Sequence, residues 1–520
     1  MFTRTAHSLP EALYSADSVR AMDRYLIDQQ GVDGFELMQS AARSAFRQLI
    51  KHWPAPDSVL IFCGAGNNGG DGYLVAANAR RHGLLVECIA VAPTGKLQGD
   101  ALKALNKARA DGVPIAELNE LNEADISRQL SSAGLVVDAM LGTGVTGAPR
   151  EPVAGIIRQI NRSALPVLAV DMPSGLDATT GSAEGEVVHA QLTVTFIGSK
   201  AGLYTGAGAG VCGKVVFDAL DTGHDVTESG EQPISALHSW QDCRHWLPVR
   251  PMNAHKGRFG HVLVVAGDRG FGGAGIMAAE AASRTGAGLV SLVTRPEHVT
   301  AALARCPFLM VHGVVHGSGL KSLLAKADVL VCGPGMGQSA WGQQMLQQVL
   351  ASGKPRVLDA DALNLMAARE PVAADNHILT PHPGEAARLL GCKVHEIEAD
   401  RLSAGRRIQK IWGGVVLLKG AGTVVVGDHG QSSIIAGGNP GMATGGMGDV
   451  LSGMIGALMG QMADPERVTV MAAALHLAAA DYAAQQVGYM GLTPADVIDA
   501  VPRVLRKTER VDRNHDREQL

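Results

Sequence analysis

Short, nearly continuous apolar runs alternate along this chain with alanine-rich stretches of helical period. In the first half the runs fall at 59–63, 84–90, 135–138, 167–170, 192–196 and 215–217. Runs of this kind suit strands buried on both faces of a parallel sheet. Stretches such as 73–81 and 99–110 supply the crossover helices. The pattern lapses between 221 and 233, a polar segment with few apolar anchors, and a domain boundary is expected there. It resumes at 261–266, 289–294, 329–332, 357–359, 378–380, 415–419 and 423–426. Two α/β domains are therefore expected, at 1–222 and 235–508, with sites at strand C-terminal ends. The charged tail from 506 to 520 should fray.

The length of 520 residues fits this division, being too great for one ordinary core. Hydrophobic residues make up 46% and aromatic residues 4%, a folded composition poor in base-stacking surfaces. The net charge of −5, with no basic run before the tail, argues against nucleic acid or an anionic membrane as partner. Seven widely spaced cysteines form no C-x-x-C pair, which points to a reducing compartment and gives no zinc framework. The N-terminus lacks the charged-then-apolar pattern of a signal peptide, and the apolar stretch at 470–484 is interrupted by His476 and Asp481. A cytoplasmic location is expected.

Two glycine/aspartate loops carry the candidate chemistry. Gly445-Gly446-Met447-Gly448-Asp449 precedes an apolar helical run. Bare amides and a helix N-terminus favour an anion there. A carboxylate beside phosphates needs a reason, and Asp449 suits a base that deprotonates an attacking hydroxyl. The other loop, Gly64-Ala65-Gly66-Asn67-Asn68-Gly69-Gly70-Asp71-Gly72, follows a strand and leads into a helix. Two further strand ends, at Asp138 with Gly142–Gly147 and at Asp171 to Asp177, should converge on the same crevice. Turn chemistry alone accounts for many such residues, and Asp171 also reads as a cap or turn former.

In the second half, Lys419-Gly420-Ala421-Gly422-Thr423 joins two strands, either as a plain glycine hairpin or as a turn packed on a nucleotide with Lys419 near its phosphate. His382 stands in the proline-stiffened Thr380-Pro381-His382-Pro383-Gly384-Glu385, as a surface histidine or a substrate contact. Asp359-Ala360-Asp361 caps a helix or holds magnesium, directly or through water. Gly267-Asp268-Arg269-Gly270-Phe271-Gly272-Gly273-Ala274 and Gly333-Pro334-Gly335-Met336-Gly337 complete the set.

The first group of loops resembles the N-terminal domain of the YjeF family, the NAD(P)H-hydrate epimerases, over residues 14–220. The second resembles the family's C-terminal domain, the ADP-dependent NAD(P)H-hydrate dehydratases, over 235–504. The resemblance implies a Rossmann-like doubly wound domain followed by a ribokinase-like α/β domain. It implies that Asn67, Asn68, Gly69, Gly70, Asp71 and Gly142, Thr143, Gly144, Val145, Thr146, Gly147, Ala148 hold the hydrated dinucleotide, with Asp171 at its nicotinamide. Asn68, Asp138 and Ser174 match the family's potassium ligands, hard oxygen donors all. In the second domain, Ala274, Met336, His382 and Asp449 match contacts to the hydrated dinucleotide. Lys419, Gly420, Ala421, Gly422, Thr423 and Gly448 match contacts to ADP or AMP. Met447 departs from many ribokinase relatives, which carry Thr or Ala there, but its amide is kept.

The implied activity is repair of hydrated NADH and NADPH. One site interconverts the R and S hydrates; the other dehydrates the S form at the expense of ADP, with magnesium, giving AMP and phosphate. Whether Asp171 moves a proton is left open. The implied partners are small molecules, and the resemblance implies a homo-oligomer, with a tetramer as one arrangement, although the sequence itself leaves oligomeric state open. A thiamine-precursor-type kinase fused to a nucleotide-binding domain shares the Gly-Asp loop, but not the combination with Asn67–Asp71, the 419–423 turn and the His382 loop. A binding or scaffold role for the first domain is disfavoured by its intact loops.

Overall fold

The computed structural model describes residues 11–144, 147–508 and 511–512. The first ten residues, and 509–510 and 513–520 of the tail expected to fray, lie outside that range. The chain divides into two compact units between Leu237 and His238.

The first unit is built on a seven-stranded parallel sheet. Its strands are β1 (Val59–Cys63), β2 (Val86–Ala90), β3 (Ile115–Glu117), β4 (Leu135–Ala139), β5 (Val167–Val170), β6 (Leu192–Phe196) and β7 (Lys214–Asp218). Their order across the sheet is β3-β2-β1-β4-β5-β6-β7. The order reverses direction at β1, and the crevice at such a switch point is where doubly wound sheets bind ligands. Strands β1 and β4 are buried throughout, as their unbroken apolar runs require. Alanine-rich helices such as Asn67–Arg81 and Gly99–Ala110 pack close against one face.

The second unit contains β8 (His261–Val265), β9 (Leu289–Thr294), β10 (Met310–Gly313), β11 (Val329–Cys332), β12 (Arg356–Leu358), β13 (His377–Leu379), β14 (Val415–Leu418), β15 (Thr423–Val426) and β16 (Ser432–Ile435). They lie side by side in the order β16-β15-β14-β13-β12-β11-β8-β9-β10. Pairing is parallel from β14 to β10 and antiparallel for β14–β15 and β15–β16. A core of small and branched side chains joins the sheet to helices Gly272–Arg284, Met447–Met459 and Pro465–Val487. The 470–484 stretch is part of the last of these, and His476 is buried within it. Among the described residues no helix is long and apolar enough to cross a membrane.

Three of these sixteen strands escape the apolar pattern. β3 and β10 are sheet-edge strands with half-exposed side chains, and β16 begins with two serines. The helix expected from residue 73 starts instead at Asn67. Gly69 explains the difference: a Cβ there would lie 2.0 Å from the Gly64 carbonyl oxygen. Glycine at this position lets the first helical turn fold directly back on the strand end.

Candidate functional sites

In the first unit the loops after β1, β4 and β5 meet. Gly70 N–H donates to the Gly66 carbonyl at 3.1 Å, so the helix ladder begins there. The amides of Asn67, Asn68 and Gly69 precede it and are the donors a helix start offers to an anion. Gly142, Gly147, Met172, Pro173 and Gly175 line one small pocket, which joins the second and third loops. Val145 and Thr146 lie outside the described residues.

Asp138, the residue before the end of β4, is fully buried. Ser174 donates to it through its hydroxyl at 2.6 Å and its amide at 2.7 Å. The Leu141 amide donates to the Ser174 hydroxyl at 2.9 Å, and the Asn68 amide nitrogen donates to the Leu141 carbonyl at 3.0 Å. The three side chains expected to bind potassium are thus tied to one point, Leu141. The Asn68 side-chain oxygen is buried there with no hydrogen-bond partner. Burial pushes the Asp138 carboxyl up to about 6, against the hydrogen bonds from Ser174 and Met140. A buried bare oxygen and a desolvated carboxylate fit a hard monovalent cation.

Asp171, just past β5, has a φ of +65°, unusual for a residue with a Cβ. Its carboxylate is ion-paired with Lys200 and accepts from Thr195 at 3.2 Å. Lys200 is 1% exposed and also donates to Thr195 at 3.0 Å and to the Phe196 carbonyl at 3.2 Å. Its three protons are therefore committed. Asp71 and Asp23 are grouped electrostatically with this pair. Burial raises both carboxyls, Asp23 to about 6, Asp171 adds to the rise, and Lys200 opposes it. Lys200 and Asp23 carried no sequence signal: an isolated lysine after Gly-Ser reads as a surface residue.

In the second unit the site loops leave neighbouring strands β14, β13, β12, β11 and β8 at their C-terminal ends. The 333–337 loop lies on the 267–274 loop. Asp268 N–H donates to the Gly335 carbonyl at 2.7 Å, and a Cβ on Gly335 would meet that of Ala274 at 3.0 Å. The Met336 side chain is fully buried. Gly337 N–H donates to Asp361 at 2.8 Å, linking this loop to the next.

His382 caps the helix Pro383–Leu390. Its Nδ1 accepts from Gly384 N–H at 2.9 Å and its own amide donates to Glu385 at 2.8 Å. Burial, then the charges of Lys419 and Arg388, hold the imidazole below its usual pKa, in the neutral form. The 419–423 segment is a hairpin turn between the antiparallel strands β14 and β15. Arg401, 1% exposed, braces it from behind through the Lys419 carbonyl at 2.9 Å.

Gly446 starts the helix Met447–Met459 with a φ of +98°, a left-handed conformation that favours glycine. Val450 N–H makes the first helical bond, to Gly446 at 3.1 Å, and the amides of Met447, Gly448 and Asp449 lie ahead of it. Asp449 is half-buried in that first turn. Its carboxyl is pushed up to about 7 by burial and by Asp359, with Lys419 opposing. The Lys419 ammonium sits 2.7 Å from Asp359 and 3.8 Å from Glu385. Burial opposes its charge, but the surrounding carboxylates outweigh that and raise its pKa. Among the described residues no cluster of three or more His, Cys, Asp or Glu is poised to hold a metal ion.

Two α/β units, each with helix-start amides and a carboxylate at its strand ends, define an enzyme with two nucleotide-type sites. A family model described as YjeF-related protein N-terminus matches residues 34–202, and one described as NAD(P)H-hydrate dehydratase matches 262–503. The bifunctional NAD(P)H-hydrate repair enzyme Nnr of Escherichia coli K12 is 43% identical, over 98% of this chain and 96% of its own length. That of Coxiella burnetii is 41% identical, over 93% and 97%. A solved ADP/ATP-dependent NAD(P)H-hydrate dehydratase from Bacillus subtilis, co-crystallised with ATP and Mg2+, is 29% identical; the match covers 52% of this chain and 98% of that one, with a TM-score of 0.48. The chain belongs to the family of bifunctional NAD(P)H-hydrate repair enzymes.

Proposed function

We propose that the first unit interconverts the two C6 epimers of hydrated NADH and NADPH beside Asp171, and that the second dehydrates the S epimer with Asp449 as base. The enzyme is bifunctional, an NAD(P)H-hydrate epimerase and an ADP-dependent dehydratase. The observation that carries the residue assignment in the second unit is Asp449 itself, at a helix start whose amides await an anion, with the Lys419 cation alongside.

The hydrate bears a hydroxyl on ring carbon 6, and hydroxide leaves poorly. Asp449 accepts the hydroxyl proton as that oxygen attacks the β-phosphorus of ADP, and AMP departs. The first-turn amides and Lys419 stabilise charge on the phosphoryl group; one such donor is worth about 3 kcal/mol. The ring nitrogen lone pair then expels phosphate, and loss of a C5 proton restores the double bond. Ala274, the Met336 loop and His382 border the hydrate, while the 419–423 turn and Gly448 border the adenine nucleotide. Magnesium bound with the phosphates would be held by Asp361 and would screen their charge.

In the first unit, Asn67–Gly69 offer amides to the dinucleotide phosphates, with Gly142 and Gly147 bordering the same site. Potassium would be held by Asn68, Asp138 and Ser174, supplying positive charge that keeps Asp138 ionised beneath the loops. A cytoplasmic location is supported by seven free cysteines, six of them buried.

Purified protein with ADP and Mg2+ is expected to return both hydrate epimers to reduced dinucleotide. Release of AMP and phosphate without recovery of the nicotinamide absorbance would sink the reading. Asp171→Ala should leave one epimer behind while the other is consumed; complete repair at the wild-type rate would remove Asp171 from the mechanism.

A further inference from the structure

Asp359 stands at the centre of the second site, yet the mechanism above gives it no task. It follows β12, is 1% exposed, and has both carboxylate oxygens occupied. Oδ1 accepts from the Lys419 ammonium at 2.7 Å and from the Ala360 amide at 2.8 Å. Oδ2 accepts from the Ser452 hydroxyl at 2.6 Å. The Gly448 carbonyl lies 3.0 Å from that hydroxyl, but one proton serves one bond, and the closer, charged acceptor takes it. One buried carboxylate therefore holds two elements at once: the turn that starts at Lys419, and the helix carrying Asp449, which it grips one turn beyond the base.

The geometry of that grip is specific. A Cβ on Gly448 would lie 3.1 Å from the Lys419 ammonium and 3.6 Å from Asp359 Oδ2. The cation is thus pressed against the helix start whose amides receive the anion. Asp359 is itself held in place by the backbone. Ala360 has a φ of +47°, rare for a residue with a Cβ, and its amide is turned onto the carboxylate. The carbonyl of Asp359 leaves no room for a side chain at Gly333, where a Cβ would approach it to 1.8 Å. A carboxylate with every neighbour already assigned is a poor direct ligand for magnesium, which would first have to displace Lys419.

We propose that Asp359 is a positioning residue that locks the Lys419 ammonium and the Asp449 helix into one rigid unit, so that anion-binding amides, base and cation keep a fixed spacing. Resting on the dehydratase reading above, this adds a requirement to it: the two halves of the site work only when joined. Substrate never touches Asp359.

The test compares Asp359→Asn, Ser452→Ala and Lys419→Met, singly and in pairs, with epimer exchange measured in each preparation as the control for intact protein. Asp359→Asn should lower kcat for dehydration and raise KM for ADP, by about ten- to a hundredfold in kcat/KM. Ser452→Ala frees only the helix and should lower kcat by a larger factor than it raises KM for ADP. In the Lys419→Met background, Asp359→Asn should cost less than it does alone, because one of the two side chains it holds is gone. Fully additive losses would overturn the proposal, as would recovery of Asp359→Asn activity by raised Mg2+, the behaviour of a metal ligand. Loss of epimer exchange in the same variant would reduce Asp359 to a general structural role. A wild-type enzyme that leaves ADP intact would sink the dehydratase reading along with it, whereas loss in Lys419→Met but not in Asp359→Asn would refute the positioning role alone.

Discussion

Each unit buries a lysine against an aspartate, and the two pairs differ in which partner is sealed. In the first unit the cation is buried: Lys200 is 1% exposed while Asp171 is 19% exposed. In the second the anion is buried: Asp359 is 1% exposed while Lys419 is 20% exposed. The exposed partner is the one that can meet a ligand. On the proposed roles, an epimerisation transfers no phosphate, so its site would present a carboxylate and hide the countercharge. A phosphoryl transfer gathers negative charge, so its site would present an ammonium and hide the carboxylate proposed to aim it. The same pair, turned round, would then serve opposite chemistry.

The comparison is broken most directly at Asp449. Asp449→Asn should slow dehydration by about 10^2- to 10^4-fold, the range for loss of a general base. Epimer exchange should continue at its normal rate; loss of both would deny that the sites are separate. Lys200→Met removes the sealed cation and leaves Asp171 facing a low-dielectric wall. Unfolding of the first unit in urea should then come at a cost of about 3 kcal/mol in stability, the lower end for a broken buried pair. Lys419→Met, its counterpart, should cost the second unit more, because the carboxylate it leaves unpaired, Asp359, is the sealed partner. Equal losses would erase the distinction between the two pairs.

Acidity offers a gentler probe. Asp449 must be ionised to act as base, and burial and Asp359 push its carboxyl up to about 7. Dehydration kcat/KM should therefore fall as pH drops through 7, about tenfold for each further unit. An acidic limb centred near 4 would mean that Asp449 is not the base. The smallest expected effect concerns the cation. Exchanging potassium for tetramethylammonium, too large to fit between Asn68, Asp138 and Ser174, should slow epimer exchange several-fold and leave dehydration unchanged. Identical rates in the two salts would remove potassium from the first site.

Much of the fold could be read because parallel strands buried on both faces write themselves as apolar runs. β1 and β4, five residues each and buried throughout, are of this kind. β3, β10 and β16 were hidden by the opposite condition, since an edge position or a serine start dilutes the pattern. Of the sites, the glycine loops and the carboxylates beside them were legible, because their local order already implies a turn, a helix start and a charge. The supporting network was not. Asp359 meets Lys419 across 60 residues and Ser452 across 93, and nothing local to any of them specifies the others. Lys200 reaches Asp171 across 29 residues from a segment that reads as plain loop. Chemistry is announced by short motifs, whereas the groups that aim it are brought in by topology.

The bare side-chain oxygen of Asn68 has a consequence for how the protein lives in its surroundings. A buried acceptor without a donor is a standing disadvantage to the fold. With a potassium ion seated against it, Asp138 and Ser174, that disadvantage turns into binding energy, and anything that binds only the folded state stabilises it by mass action. The first unit would then be sturdiest in a potassium-rich medium and weaker after dilution into sodium buffer. The ionic composition of its surroundings would act as a component of the fold.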